Sequence, residues 1–195
     1  RVQSSSAWNF DFVALISLST VIAALGLLQS SAAVIIGAML IAPLMTPILG
    51  VGLALAQGNA RLVKLALRTI FFGVSTSLLV AALVGALDRA AAGELVRTPE
   101  MLARGWPGLL DLFVAFVSGL AAAYANSRPS LVAALPGVAI AAALVPPIAT
   151  SGLALSAGDL RLAYGSFLLF FTNMVAIVLA AGVSLWAVGV RKQSD

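Results

Sequence analysis

Six apolar runs, each long enough to cross a bilayer, occupy most of this chain and leave few other folds open to it. They cover residues 12–28, 32–56, 62–87, 109–125, 131–157 and 162–190. A membrane core about 30 Å thick takes roughly 20 apolar residues per helix. The runs are continuously apolar, whereas barrel strands alternate, so helices are the reading that leaves no backbone group unpaired in lipid. Composition agrees. Only 9% of residues are charged against 62% hydrophobic, where a soluble domain carries about a quarter charged. The sequence therefore predicts an all-α polytopic membrane protein, with residues 1–195 as a single transmembrane domain. The first run is too long for a signal-peptide core and lacks a strongly basic start, so it is expected to stay as a span.

The second constraint is internal repetition. Displaced by one hundred residues, the chain aligns with itself without a gap. Gly52-Leu53-Ala54-Leu55 matches Gly152-Leu153-Ala154-Leu155, and Gly58, Arg61 and Leu62 match Gly158, Arg161 and Leu162. Upstream, Gly37, Ala42, Leu44, Pro47 and Ile48 match Gly137, Ala142, Leu144, Pro147 and Ile148. From 37 to 62 this makes 12 identities in 26 positions, and Asp11 pairs with Asp111. A bias toward Ala and Leu does not align Pro, Gly, Arg and Asp together. Repeat one spans about 11–87 and repeat two about 109–190, joined by a polar loop at about 88–108. Three runs per repeat is an odd number, so the second repeat is expected to enter the membrane from the opposite side. That is the inverted-topology plan of many secondary transporters.

Lys and Arg set the orientation. Placing the N-terminus on one side gives that side Arg1, Arg61, Lys64, Arg68, Arg128, Arg191 and Lys192. The other side receives Arg89, Arg97, Arg104 and Arg161, diluted by Asp88, Glu94, Glu100 and Asp159. The positive-inside rule then predicts both termini in the cytoplasm. The net charge of +4 does not indicate nucleic acid, because the cations stand singly at run ends.

Chemistry is constrained by absences. Without Cys or His, thiolate chemistry and the commonest general base and metal ligand are excluded. No paired carboxylates, phosphate loop or metal-ligand cluster is present, so neither enzymatic activity nor a cofactor is expected. No Asp or Glu lies mid-run, which leaves a buried proton relay without a candidate. Arg68, two turns into the third run, is expected to snorkel to the surface. Gly26, Gly37, Gly50, Gly52, Gly119, Gly137 and Gly152 are expected to let helices pack closely.

The second and fifth runs are longer than one span needs, and both carry prolines. A proline inside a helix lacks its N–H and frees the carbonyl four residues earlier. Pro43 and Pro47 would free the carbonyls of Met39 and Pro43, and Pro146 and Pro147 those of Ala142 and Ala143. Thr46, Thr150 and Ser151 place hydroxyls nearby. Paired Pro/Gly-interrupted segments in corresponding halves point to a transport site near the midplane. The expected framework is Pro43, Thr46, Pro47, Gly137, Pro146, Pro147, Thr150 and Ser151, with Gly137 allowing close backbone approach.

The stretch from Ser30 to Gly50, with Gly37-Ala38-Met39-Leu40-Ile41-Ala42-Pro43-Leu44-Met45-Thr46-Pro47 at its centre, closely resembles a prokaryotic family of uncharacterised hydrophobic domains, domain of unknown function 389. So does Ala134-Leu135-Pro136-Gly137 through Val145-Pro146-Pro147. The resemblance covers essentially the whole chain and implies a bacterial or archaeal inner-membrane protein. It implies little about activity. Many members carry a further hydrophilic N-terminal region, so this chain is expected to be either a minimal core or part of something longer.

The sequence thus points to a secondary transporter or channel-like carrier of a small solute or ion, embedded in the lipid bilayer. The alternative is a non-transporting scaffold or sensor, marked by a dry, fully packed interior. Six helices make a thin bundle, so small-residue faces are expected to favour a homo-oligomer.

Overall fold

The computed structural model describes residues 10–126, 128, 130, 131 and 143–187. These are helical, with no strand among the described residues. Helix α1 is Phe10–Leu28, α2 Ala32–Ile41, α3 Met45–Gln57 and α4 Ala60–Ala92. A one-turn helix α5, Pro99–Leu102, lies in the connector, followed by α6 Leu109–Asn126, α7 Val145–Ser156 and α8 Leu160–Ala187. Four of them, α1, α4, α6 and most of α8, are long and apolar enough to cross a membrane. The pair α2 and α3, bent by 54° at its break, makes a fifth crossing if counted as one span. The third predicted run extends further than its apolar pattern, because Asp88–Ala92 continues α4 for another turn before Gly93 ends it. At 33 residues, α4 is about 50 Å long and overreaches a bilayer core.

The helices carry apolar side chains on their outer surface as well as in the core, and a few hydroxyls lie inside. Leu79, Leu83 and Leu87 of α4 and Leu110 and Phe113 of α6 face outward, while Ser19, Thr20, Ser77, Thr150 and Ser166 are fully enclosed. No charged side chain is among the buried residues described. Outward Leu and Phe are at home against acyl chains, and enclosed hydroxyls serve as interhelical links. This is a membrane protein.

Each helix junction has a local cause. Between α1 and α2 the chain reverses at Ser30, φ 53°, and Ser31 N–H donates to Gly26 O at 2.8 Å. Gly26 also has to be small, since a Cβ there would sit 3.0 Å from Val34 and Ile35. The α3–α4 and α7–α8 corners are built alike at positions one hundred apart. Gly58 and Gly158 end their helices with φ of 68° and 73°, a left-handed conformation natural to glycine. Asn59 N–H reaches Ala54 O and Asp159 N–H reaches Ala154 O, both at 2.9 Å. Asn59 Oδ1 then caps Leu62 N–H, and Asp159 Oδ1 caps Leu162 N–H, both at 3.1 Å.

Packing crosses between the two halves. Helix α3 lies against α8, and α7 against α4. At the first crossing Gly52 meets Val178, Ala181 and Gly182, and at the second Gly152 meets Leu78, Ala81 and Ala82. Every partner in one set has its counterpart, one hundred residues away, in the other. A Cβ on Gly52 would fall 2.7 Å from Ala181 Cβ, and one on Gly152 would fall 2.6 Å from Ala81 Cβ. Only glycine fits at either crossing. Gly37 differs from the expectation, because none of the described residues lies within 4 Å of a Cβ placed there.

Candidate functional site at the helix breaks

Helix α2 ends at Ile41, the chain passes through an extended Ala42, and α3 begins after Leu44. In the second half Ala143, at φ 42°, precedes Leu144, after which α7 begins. Neither Leu44 nor Leu144 offers a side-chain cap. Both helix starts reach one space: Leu44, Met45, Leu144 and Val145 together with Met39 and Ala42 line a cavity of about 10 Å³. That is room for about one water. Its walls are apolar side chains, and the polar groups nearest to hand belong to the backbone.

The prolines act differently from the sequence expectation. Pro47 is the third residue of α3, and Pro146 and Pro147 are the second and third of α7. A helix leaves its first four N–H groups without an intrahelical partner, so proline is tolerated in the first turn. These three therefore start half-helices and do not kink continuous ones. Of the framework prolines, Pro43 lies inside the break between α2 and α3. What the breaks present is consequently the positive ends of α3 and α7 as much as freed carbonyls. Proline also thins the donors, removing one N–H from the first turn of α3 and two from that of α7.

None of the predicted framework residues is among the described residues that line this cavity. Pro43 and Thr46 are half-buried, and Pro47, Pro146 and Pro147 are buried. Thr150 is fully enclosed, and its Oγ1 has no hydrogen-bond partner among the described residues. Ser151 is committed elsewhere, as its Oγ donates to Ala163 O at 2.9 Å and ties α7 to α8. Gly137 lies outside the described residues. Arg68 is exposed, with its guanidinium 5.6 Å above the ring of Phe72 one turn further along α4. No group of Asp or Glu suited to a metal ion occurs among the described residues.

Several polar contacts around the breaks carry no apolar-pattern signal. Ser19 Oγ donates to Ala38 O at 2.7 Å, pinning the last turn of α2 to α1. Thr20 Oγ1 donates to Ile16 O at 2.7 Å and lies 3.0 Å from Ser77 Oγ of α4. Ser166 Oγ, fully buried, joins Thr150 in having no partner among the described residues. Beyond the membrane-crossing helices, Thr98 Oγ1 donates to Leu27 O at 2.7 Å, and Arg97 pairs with Asp159 at 2.9 Å. These two contacts hold the connector across the ends of α1 and α7. Thr98-Pro99 is a legible helix start, a capping residue followed by proline at the first helical position.

The family model described as Domain of unknown function (DUF389) matches residues 39–179. The chain belongs to this family. An uncharacterized protein of Methanocaldococcus jannaschii is 28% identical over 179 residues, covering 89% of this chain and 52% of the relative. The chain thus spans about half the length of the curated relative it matches. No solved structure matches it. The family's matched region begins within α2 and takes in both breaks, the connector and most of α8.

Proposed function

We propose that this chain is a channel-like carrier of a small solute or ion in the prokaryotic inner membrane, with the two breaks as its gate. The observation that carries this reading is the shared cavity. Leu44 and Met45 from one half and Leu144 and Val145 from the other converge on it from positions one hundred residues apart. Discontinuous helices meeting at a repeat interface are how many carriers build a substrate site. The two halves are read as inverted repeats, since three runs per half reverse the direction of entry. The matching corners and reciprocal glycine crossings support that reading.

In this arrangement the gate is closed. A space for one water, walled by Leu, Val and Met, excludes hydrated ions by failing to wet. Two half-helices directing their positive ends at one point favour an anionic or electron-rich group there. The unpartnered hydroxyls of Thr150 and Ser166 support a polar path, because an enclosed polar group left unpaired costs about 1–3 kcal/mol.

A second reading, a non-transporting scaffold or sensor, draws on the same 10 Å³, since a nearly dry interior suits a packed module. Flux into proteoliposomes separates the two. Leu44→Ala and Leu144→Ala together remove the apolar gate walls. The carrier reading expects this double variant to pass small anions faster than the unaltered protein. If both proteins are monodisperse and neither passes chloride, nitrate or acetate above empty vesicles, the carrier is overturned and the scaffold stands.

A further inference from the structure

The two matching corners differ in one respect that the carrier reading does not use. At α7–α8 the cap is Asp159, which neutralises Arg97 at 2.9 Å, while Arg161 lies 4.6 Å above the Trp106 ring. Nearby, Arg104 pairs with Glu100 at 2.8 Å, and Arg89 donates to Ser156 O. That end of the molecule satisfies its own cations. At α3–α4 the cap is Asn59, with the same Oδ1 geometry and no charge.

Behind Asn59 the first turns of α4 carry Arg61, Lys64 and Arg68, all exposed. Spaced i, i+3 and i+7, they fall on one face along about 10 Å of helix. None has a carboxylate partner among the described residues, and the first turn of α4 contains no acid. Cations at the start of a helix oppose its dipole, so the placement asks for an outside anion. A cleft of about 350 Å³, lined by Asn59, Arg61, Leu62 and Leu65, opens beside them. Leu65 between the cations and Phe71 and Phe72 beyond them present apolar surface outward, with the Arg68 guanidinium 5.6 Å above the Phe72 ring.

We propose that this cleft is a binding site for an anionic phospholipid. The headgroup phosphate is held by Arg61, Lys64 and Arg68, and an acyl chain lies along Leu65, Phe71 and Phe72. The charge sits where a phosphate meets the membrane boundary, and the apolar surface lies where a chain would follow. A soluble anion would use the first feature and leave the second unexplained. The site requires only that the protein lies in a bilayer, and it stands whether or not the breaks conduct.

The test is lipid titration of the purified protein in neutral detergent, read by native mass spectrometry and by melting temperature. The probes are phosphatidylglycerol, phosphatidylcholine and inorganic phosphate. Three cations near an anionic surface imply a preference for phosphatidylglycerol over phosphatidylcholine on the order of a hundredfold. The combined variant Arg61→Gln, Lys64→Gln, Arg68→Gln is expected to abolish that preference. Asn59→Asp keeps the cap, copies the other corner and is expected to weaken phosphatidylglycerol binding severalfold. Equal binding of the two lipids overturns the proposal, as does unaltered binding by the triple variant. So does displacement of phosphatidylglycerol by millimolar phosphate, which would mark a soluble-anion site. Should the triple variant fail to fold, Asn59→Asp decides, and unchanged binding in it rejects the site.

Discussion

Gly52 and Gly152 carry the two crossings, and replacing either inserts a methyl group where backbone already touches backbone. Gly152→Ala meets Leu78 O at 2.7 Å and Gly52→Ala meets Val178 O at 3.0 Å. Overpacking of this kind costs about 1–3 kcal/mol, so each variant should melt clearly below the parent in detergent. Gly37→Ala, with none of the described residues within 4 Å of its Cβ, should instead gain up to about 1 kcal/mol from helix propensity. An equal loss in all three would remove the crossings as the cause. The pairing of Gly52 with Gly152 is legible in the sequence because both stand inside an aligned Gly-Leu-Ala-Leu. That Gly37 is idle is not legible. Alignment reports which positions correspond, whereas close approach depends on a neighbouring helix that a single repeat does not specify.

Among the elements, the breaks are the least regular and the least alike. Position 43 is proline, whose ring holds φ near −65°, but its counterpart Ala143 stands at φ 42°. A left-handed alanine costs roughly 1–2 kcal/mol, part of which glycine recovers. Ala143→Gly is therefore expected to raise the melting temperature, and Ala143→Pro, although it copies the other half, to lower it sharply. Opposite results would show that the two breaks share one backbone path. The connector gives a separate prediction. Thr98→Val keeps the shape of the side chain but removes one of the two donors to Leu27 O, leaving Ser30 N–H at 3.1 Å, and should cost about 0.5–1.5 kcal/mol in thermal or denaturant unfolding. Long apolar runs made α1, α4, α6 and α8 readable, because helix length is set by membrane thickness. Prolines marked where breaks lie but not how they work. Whether a proline starts a half-helix or bends a whole one depends on hydrogen bonds either side of it, and composition does not contain those.

For the whole molecule, the carrier reading makes a prediction beyond the gate-widening variants. Pro47→Ala and Pro147→Ala each restore a first-turn N–H without enlarging the side chain. They are expected to change anion flux in proteoliposomes while leaving the melting temperature within a few degrees of the parent. Normal melting with unchanged flux in both would remove the prolines from the mechanism. Membrane residence and repetition were readable from the sequence, since both are written in periodicities longer than any one helix. The narrowness of the central cavity was not. It comes from Leu44 and Leu144 lining one small space from positions one hundred residues apart.

The reciprocal crossings bear also on how the protein is made. Helix α3 rests on α8 and α7 rests on α4, so the small-residue face around Gly52 finds its partner only once α8 has been made. Until then the Gly52 face of α3 lacks the α8 residues that cover it. Assembly is therefore a late, concerted event in which the halves clasp each other. Two separately expressed halves, cut within the connector, should be able to find one another in the membrane. Either half alone should be an open clasp and a ready target for membrane proteolysis.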